Sequence, residues 1–174
     1  MYIHLHDIIV CRLVLSSTKN NVTTLTMNDP KKLNGWTGPM MLTLRDRFKQ
    51  HATDPETKVL ILTGADPYYC AGVNLSAAIQ PMHPRKLHGL IRTNNQAVFD
   101  AFLDFPKPII IAANGPAIGA CVTSASLCDA IVASEKVRTS DLRPDIIYLL
   151  FPGNLSGPLR QTEYPSGGLQ QCSL

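Results

Sequence analysis

The chain has 174 residues, of which 45% are hydrophobic and 17% are charged, and its formal net charge is +3. This length and composition predict one globular domain with a substantial core and argue against disorder over most of the chain. The weak and dispersed positive charge gives no support for nucleic acid as a partner, although it suits a small anionic ligand.

The N-terminal half contains a predicted hairpin, a helix and a buried strand, in that order. Apolar residues dominate the segments 8–15 and 22–27, with the polar segment 16–21 between them, which predicts two strands. The short apolar segment 59–62 predicts a strand that is buried on both faces. Between the hairpin and this strand, a helix is predicted after Thr37 and before Asp54-Pro55. The apolar residues that recur there at helical spacing are Met40, Met41, Leu44 and Phe48.

The second half continues the alternation of helices and strands. Pro84 suits the first turn of a helix that ends before Phe105-Pro106. One apolar face is predicted for that helix, formed by Leu87, Leu90, Ile91, Val98 and Phe102. A strand over 109–113, a closely packed helix over 117–125 and a strand over 130–133 follow. This order implies parallel strand pairing and therefore an α/β domain.

The composition changes near Val137. Beyond this residue the chain is rich in Pro, Gly, Ser and Gln without any hydrophobic period. We therefore predict a core over residues 8–136 and a divergent, poorly ordered tail over 137–174. The five cysteines form no C-x-x-C pair, so no metal site is expected, and no apolar segment approaches the roughly 20 residues of a membrane span.

Two glycine-bearing turns, 70–74 and 114–120, each follow a predicted buried strand. Glycine permits a tight turn where strand pairing stops, which leaves the N–H groups of Val73 and Ala120 without strand partners. Two such donors can stabilise one developing oxyanion. Glycine turns after strands are also common for purely geometric reasons, so the pattern alone leaves both interpretations open.

The order of several motifs resembles the enoyl-CoA hydratase/isomerase (crotonase) superfamily. The motifs are TMNDPKKLN at 26–34, KVLILTG at 58–64, YCAGVNL at 69–75, FPKPIIIAANGPAIG at 105–119 and CDAIVAS at 128–134. The NGPAIG wording is most similar to the peroxisomal type of 3,2-trans-enoyl-CoA isomerase. The resemblance ends near Val137, so the C-terminal part of the domain is expected to be truncated or altered.

The resemblance implies a spiral of β-β-α units that binds an acyl-CoA thioester as substrate and needs no other cofactor. It implies a backbone oxyanion hole formed by Val73 and Ala120. Residues 71–75 would line the acyl-CoA site, and residues 31–33 would lie near the CoA moiety. By name, these substrate-binding residues are Ala71, Gly72, Val73, Asn74, Leu75, Lys31, Lys32 and Leu33.

The resemblance also implies a general base that this sequence does not supply at the expected places. Hydratases of the superfamily carry a glutamate where this chain has Thr123, and isomerases use a later glutamate in a Pro-Glu-Gly setting. The only glutamates here are Glu56, Glu135 and Glu163. The expectation is therefore an isomerase-like protein of unsaturated fatty-acid β-oxidation that binds acyl-CoA with little turnover.

Three further expectations follow from the same resemblance. Relatives assemble as homotrimers through C-terminal helices, although this chain lacks a recognisable counterpart of them. Their peroxisomal location is carried over as an expectation, with a cytoplasmic location as the alternative, since the C-terminal residues Gln171-Cys172-Ser173-Leu174 lack the basic residue of an S-K-L signal. The alternative function is a non-catalytic interaction module, as in chromodomain-Y-like coregulators, whose crotonase segment also lacks the glutamate.

Overall fold

A five-stranded sheet organises the computed structural model, which describes residues 12–74 and 82–137. The strands lie side by side in sequence order, with β1 antiparallel to β2 and every later pair parallel. The parallel α/β arrangement predicted from the sequence is confirmed. The strands are β1 (Val14–Lys19), β2 (Val22–Met27), β3 (Val59–Gly64), β4 (Ile109–Ala113) and β5 (Ala130–Ala133).

The N-terminal hairpin differs from its prediction. Strand β1 continues through Lys19, so most of the polar segment that was expected to be a loop is strand, and residues 8–11 lie outside the described part. The turn contains only Asn20 and Asn21, both with positive φ (51° and 63°). Asparagine tolerates this left-handed conformation, which closes a two-residue hairpin. The polar side chains of β1 are accommodated because this edge strand is exposed beyond Val14.

Helix α1 (Gly38–Thr53) forms where the periodicity predicts it. The hydroxyl of Thr37 caps its start by accepting the N–H of Met40 at 3.3 Å. The four apolar residues that defined the period are buried against the sheet. The helix ends at Thr53, and its C-cap residue, Asp54, is followed by a proline that cannot continue it.

The second predicted helix is divided into α2 (Pro84–Ile91), a π-helical turn (Arg92–Gln96) and α3 (Ala97–Leu103). The apolar face of α3 is buried through Val98 and Phe102, as expected. The apolar side chains of α2 are instead 37–50% exposed. The extra residue in a π turn changes the angular register of the two parts, so one continuous face cannot remain on the core.

Helix α4 (Ala120–Ala125) is shorter than its predicted span of 117–125. Ala117 instead forms a parallel bridge with Cys70, and Gly119 adopts φ 64° and ψ −129°. Residues 117–119 therefore belong to the turn before the helix. Within the described ranges, none of the helices is long and apolar enough to cross a membrane.

Candidate functional site

The candidate site lies at one edge of the sheet. Strands β2 to β5 are parallel, so their carboxyl ends, and the loops that follow them, meet there. The loops 28–36 and 65–74 follow β2 and β3, and the loop 114–119 follows β4. The fold therefore brings three segments that are distant in sequence to one place.

Backbone hydrogen bonds join these loops into a short ladder. Trp36 N–H donates to the Gly72 carbonyl at 2.7 Å, and Asn74 N–H donates to the Trp36 carbonyl at 3.1 Å. On the other side of the loop 65–74, the Cys70 carbonyl accepts a hydrogen bond from Ile118 N–H at 3.0 Å. The glycine turn at 70–74 is thus held between its two neighbours.

Asn34 fixes the first loop against the second, and sequence reasoning did not identify it. Its buried side-chain amide donates to the carbonyls of Ala65 and Tyr68, both at 2.7 Å, and its Oδ1 accepts the N–H of Asp29 at 3.0 Å. Its φ is 54°, a value that asparagine tolerates better than most residues. The Asn34-Gly35 pair was the available signal, since this dipeptide is typical of turns.

The two predicted glycine turns contact each other. Gly72 has φ 78° and Gly119 has φ 64°, so both need the conformational freedom of glycine. A Cβ placed on Gly72 would lie 2.4 Å from the Ile118 carbonyl oxygen and 3.7 Å from the backbone nitrogen of Ala120. Glycine is therefore required at position 72 for conformation and for close approach.

Val73 and Ala120 each keep a backbone N–H that has no acceptor among residues 12–74 and 82–137. At Val73, the bridge to Trp36 uses the flanking Gly72 carbonyl and Asn74 N–H, which leaves the Val73 N–H on the opposite side. At Ala120, the donor is the first N–H of α4, where no intrahelical acceptor exists. Two unpaired donors on adjoining turns can bind one carbonyl oxygen.

An apolar pocket of about 160 Å³ adjoins Val73. None of the described residues that line it is acidic or basic. Its wall combines the end of the first loop, the start of α1 and the exposed face of α2, so that face is explained by the pocket rather than by the core. The apolar lining residues are Trp36, Met41, Val73, Met82, Leu87, Leu90 and Ile91.

Of the residues expected near CoA, the two lysines have exposed side chains, and Leu33 contacts the glycine turn through its backbone. Lys31 and Lys32 lie in a short 3-10 helix, and the Lys32 ammonium is 3.7 Å from the Asp29 carboxylate with its side chain 58% exposed. The Leu33 carbonyl accepts the N–H of Ala71 at 3.0 Å, which places this segment beside the glycine turn. The prediction for Leu75 lies outside the described residues.

No predicted general base reaches this pocket in the described part of the chain. Thr123 is exposed on α4, and Glu135 is exposed just after β5. Glu56 precedes β3, at the opposite edge of the sheet from the glycine turns. Glu163 lies outside the described residues.

The two cysteines beside the turns are buried packing residues, as the sequence favoured. Cys121 donates its thiol to the Cys70 carbonyl at 3.1 Å, and Cys70 donates to the Asn34 carbonyl at 3.1 Å. The hydrogen bond with Cys121, together with burial, raises the pKa of the Cys70 thiol above its ordinary value. A thiol in this environment is a poor nucleophile.

Comparisons with known proteins agree with this architecture. The family described as Enoyl-CoA hydratase/isomerase matches residues 17–143. "Uncharacterized protein B0272.4" of Caenorhabditis elegans is 37% identical over 125 residues, covering 71% of this chain and 47% of that protein. "Enoyl-CoA delta isomerase 3, peroxisomal" of Mus musculus is 30% identical over 126 residues, covering 71% of this chain and 39% of that protein.

A solved structure gives the same result. The enoyl-CoA hydratase/isomerase from Pseudoalteromonas atlantica T6c superposes with a TM-score of 0.62 at 26% identity, covering 73% of this chain and 48% of that chain. The chain thus spans between 39% and 48% of the length of these relatives. Because the family match includes well over half of the chain and the fold agrees with it, this chain belongs to the enoyl-CoA hydratase/isomerase (crotonase) family.

Proposed function

We propose that the chain binds an acyl-CoA thioester at the carboxyl edge of the sheet. The thioester oxygen lies between the N–H groups of Val73 and Ala120. The observation that carries this proposal is the presence of two unpaired backbone donors, on turns in direct contact, beside an apolar pocket. The acyl chain occupies the pocket, and the CoA phosphates lie toward the exposed Lys31 and Lys32.

The bound thioester is prepared for proton transfer at the carbon next to its carbonyl. Loss of that proton produces an enolate, whose oxygen carries more negative charge than the ground-state carbonyl. Donors that are already held in place therefore stabilise the enolate more than the substrate. This is the contribution that the described residues make to isomerisation.

The finer assignment is an isomerase-like role in unsaturated fatty-acid β-oxidation, in the peroxisome. It is supported by the mouse relative named as a peroxisomal delta isomerase, at 30% identity. Turnover also needs a base that moves a proton between two carbons, and no acidic residue lines the described part of the pocket. We therefore expect acyl-CoA binding with little turnover. The coregulator-type alternative receives no support from the relatives found.

The test removes one donor without changing a side chain that touches the ligand. Ala120 is the first residue of α4, a position where helices accept proline, and proline has no N–H. Ala120→Pro should weaken octanoyl-CoA binding about tenfold, the effect of one lost hydrogen bond. Calorimetric titration measures the affinity, and Ala120→Ser, which keeps the N–H, should bind like the parent protein.

A second ligand separates the oxyanion role from general damage. Octyl-CoA is a thioether and lacks the thioester carbonyl oxygen, so its affinity should be unchanged by Ala120→Pro. Equal loss of both ligands would show that the substitution damages the pocket rather than a carbonyl-binding donor. Incubation with a 3-enoyl-CoA, monitored for the conjugated 2-enoyl-CoA, then measures turnover directly.

A further inference from the structure

A second polar cluster lies where helix α1 ends beside the edge strand β1, away from the acyl-CoA pocket. Ser16 Oγ is 2.8 Å from Nε2 of His51, and Nδ1 of His51 is 3.3 Å from Oδ2 of Asp54. A serine, a histidine and a carboxylate that are joined by hydrogen bonds in this order have the arrangement of a nucleophilic triad.

The hydrogen-bond network decides which nitrogen of His51 carries the proton. The Thr57 hydroxyl donates to Oδ2 of Asp54 at 2.8 Å, so it can only accept from Nδ1 of His51, which is 3.1 Å away. The Asp54 carboxylate is also only an acceptor. Nδ1 therefore carries the hydrogen, and the lone pair of Nε2 accepts the Ser16 hydroxyl. This is the tautomer that a general base toward serine requires.

The base is held firmly while the serine is accessible. His51 is only 4% exposed, and Lys107 Nζ donates to the carbonyls of His51 and Asp54, both at 2.7 Å. Asp54 also accepts the N–H of Glu56 at 3.0 Å. Ser16, in contrast, is exposed and lines an open groove of about 710 Å³.

The same groove supplies a positive group for a developing negative charge. Arg47 lines it and donates one N–H to Oε1 of Gln50 at 2.9 Å. The remaining N–H groups of Arg47 have no acceptor among the described residues. A guanidinium with free donors can stabilise an acyl oxyanion.

We propose that Ser16, His51 and Asp54 form a second site, which accepts acyl groups from small carboxylic esters. Ser16 Oγ attacks the acyl carbon, and its proton passes to Nε2 of His51 while Arg47 faces the oxyanion. The carbon–oxygen bond to the leaving alcohol breaks, and that alcohol takes the proton from Nε2. Water then repeats the sequence on the acyl-serine, so that ester and water give acid and alcohol.

The competing explanation is that the network only fastens β1 to α1. Reactivity distinguishes the two, because a serine with a positioned base reacts with organophosphorus reagents and an ordinary surface serine does not. Ser17 is the matched control, since it follows Ser16 on the same exposed strand but points to the opposite face and forms none of the cluster's hydrogen bonds.

The experiment treats the full chain with diisopropyl fluorophosphate and maps the modified residue by peptide mass spectrometry. The serine oxygen displaces fluoride, so modification adds one phosphoryl group per chain. Ser16 should react at least about 100-fold faster than Ser17, the usual minimum for a positioned general base. Ser16→Ala should abolish labelling, Ser17→Ala should leave it unchanged, and His51→Gln should reduce it to the rate of Ser17.

An independent readout is a burst of p-nitrophenol from p-nitrophenyl acetate, of one equivalent per chain and absent in Ser16→Ala. Absence of Ser16 labelling in the parent protein, or equal labelling of Ser16 and Ser17, would overturn the proposal. Either result stands even if His51→Gln does not fold. The reaction of Ser16 uses neither Val73 nor Ala120, so failure of this site and failure of the acyl-CoA site are distinguishable.

Discussion

Single residues determine whether the two glycine turns can touch. Gly72 has positive φ and lies so close to the Ile118 carbonyl that even a methyl group would clash. The sequence identified this position because a glycine in the loop that follows a buried strand needs a conformational explanation. The residue that fastens the neighbouring loop, Asn34, gave a weaker signal, since its role depends on carbonyls more than 30 residues away.

The first prediction compares two glycines. Gly72→Ala should lower the free energy of unfolding by about 2–4 kcal/mol, from backbone strain and overpacking together. Gly89 lies inside α2 and has no neighbouring atom within 4 Å of the place that a methyl group would occupy, so Gly89→Ala should raise stability by about 0.5–1 kcal/mol. Urea unfolding measures both. Equal effects would refute the close contact between the turns.

The second prediction concerns the Asn34 side chain. Asn34→Gly tolerates the positive φ but leaves two part-buried carbonyls and one N–H without their partner, which should cost about 2–4 kcal/mol. Asn21 also has positive φ but is exposed, and its side chain forms no hydrogen bond among the described residues. Asn21→Gly should therefore change stability by less than about 0.5 kcal/mol. A similar loss in both variants would show that the backbone, not the amide, matters.

At the scale of elements, most helices and strands could be predicted from periodicity, but their junctions could not. The predicted hairpin turn was too long because the polar residues at the end of β1 resemble a loop. Such residues are tolerated in a strand at the edge of the sheet, and that position is a tertiary property. The π turn at Arg92–Gln96 likewise has no local sequence rule, and it redirects the apolar face of α2 into the pocket. The Ser16 and His51 contact joins elements 35 residues apart and is invisible to any local motif.

The third prediction concerns the C-terminal end of α1. Donation by the Thr57 hydroxyl and the Glu56 N–H lowers the pKa of Asp54 below its ordinary value of 3.8. A lowered folded-state pKa means that the stabilisation is complete above pH 3.8 and is lost as pH falls through the lower, folded-state value. Urea unfolding between pH 6 and about pH 2.5 should therefore show a steeper loss in the parent than in Asp54→Asn.

A control variant isolates the cause of that loss. Thr57→Val removes the leading donor to the carboxylate. When both proteins also carry Thr57→Val, the difference in pH slope between the protein with Asp54 and the Asp54→Asn variant should therefore become smaller. Identical pH slopes for the parent and Asp54→Asn would contradict the assignment. The comparison uses slopes rather than absolute stability because other carboxylates titrate in the same range and cancel between the variants.

At the scale of the whole molecule, the order and direction of the strands assemble the candidate site from distant segments of the chain. Parallel pairing of β2 to β5 sends three loops to one edge, which could be predicted from the alternation of strands and helices. The alternation therefore predicted that the two glycine turns would lie at the same edge of the sheet, where they are in contact. It did not reveal the pocket wall, because Trp36, Met41 and Leu90 come from a loop and two helices whose packing is set only in three dimensions.

The last prediction tests that pocket as an assembled whole. Each methylene of an acyl chain that enters it should contribute up to about 0.8 kcal/mol, so affinity should increase from butyryl-CoA to octanoyl-CoA. Leu90 lines the pocket and is 41% exposed, so Leu90→Gln should reduce this increase several-fold without large loss of stability. Leu103 is 62% exposed and lies outside the pocket, so Leu103→Gln should keep the parental dependence. If both variants keep the increase of affinity with acyl-chain length, the acyl chain binds elsewhere, and the exposed face of α2 serves another contact.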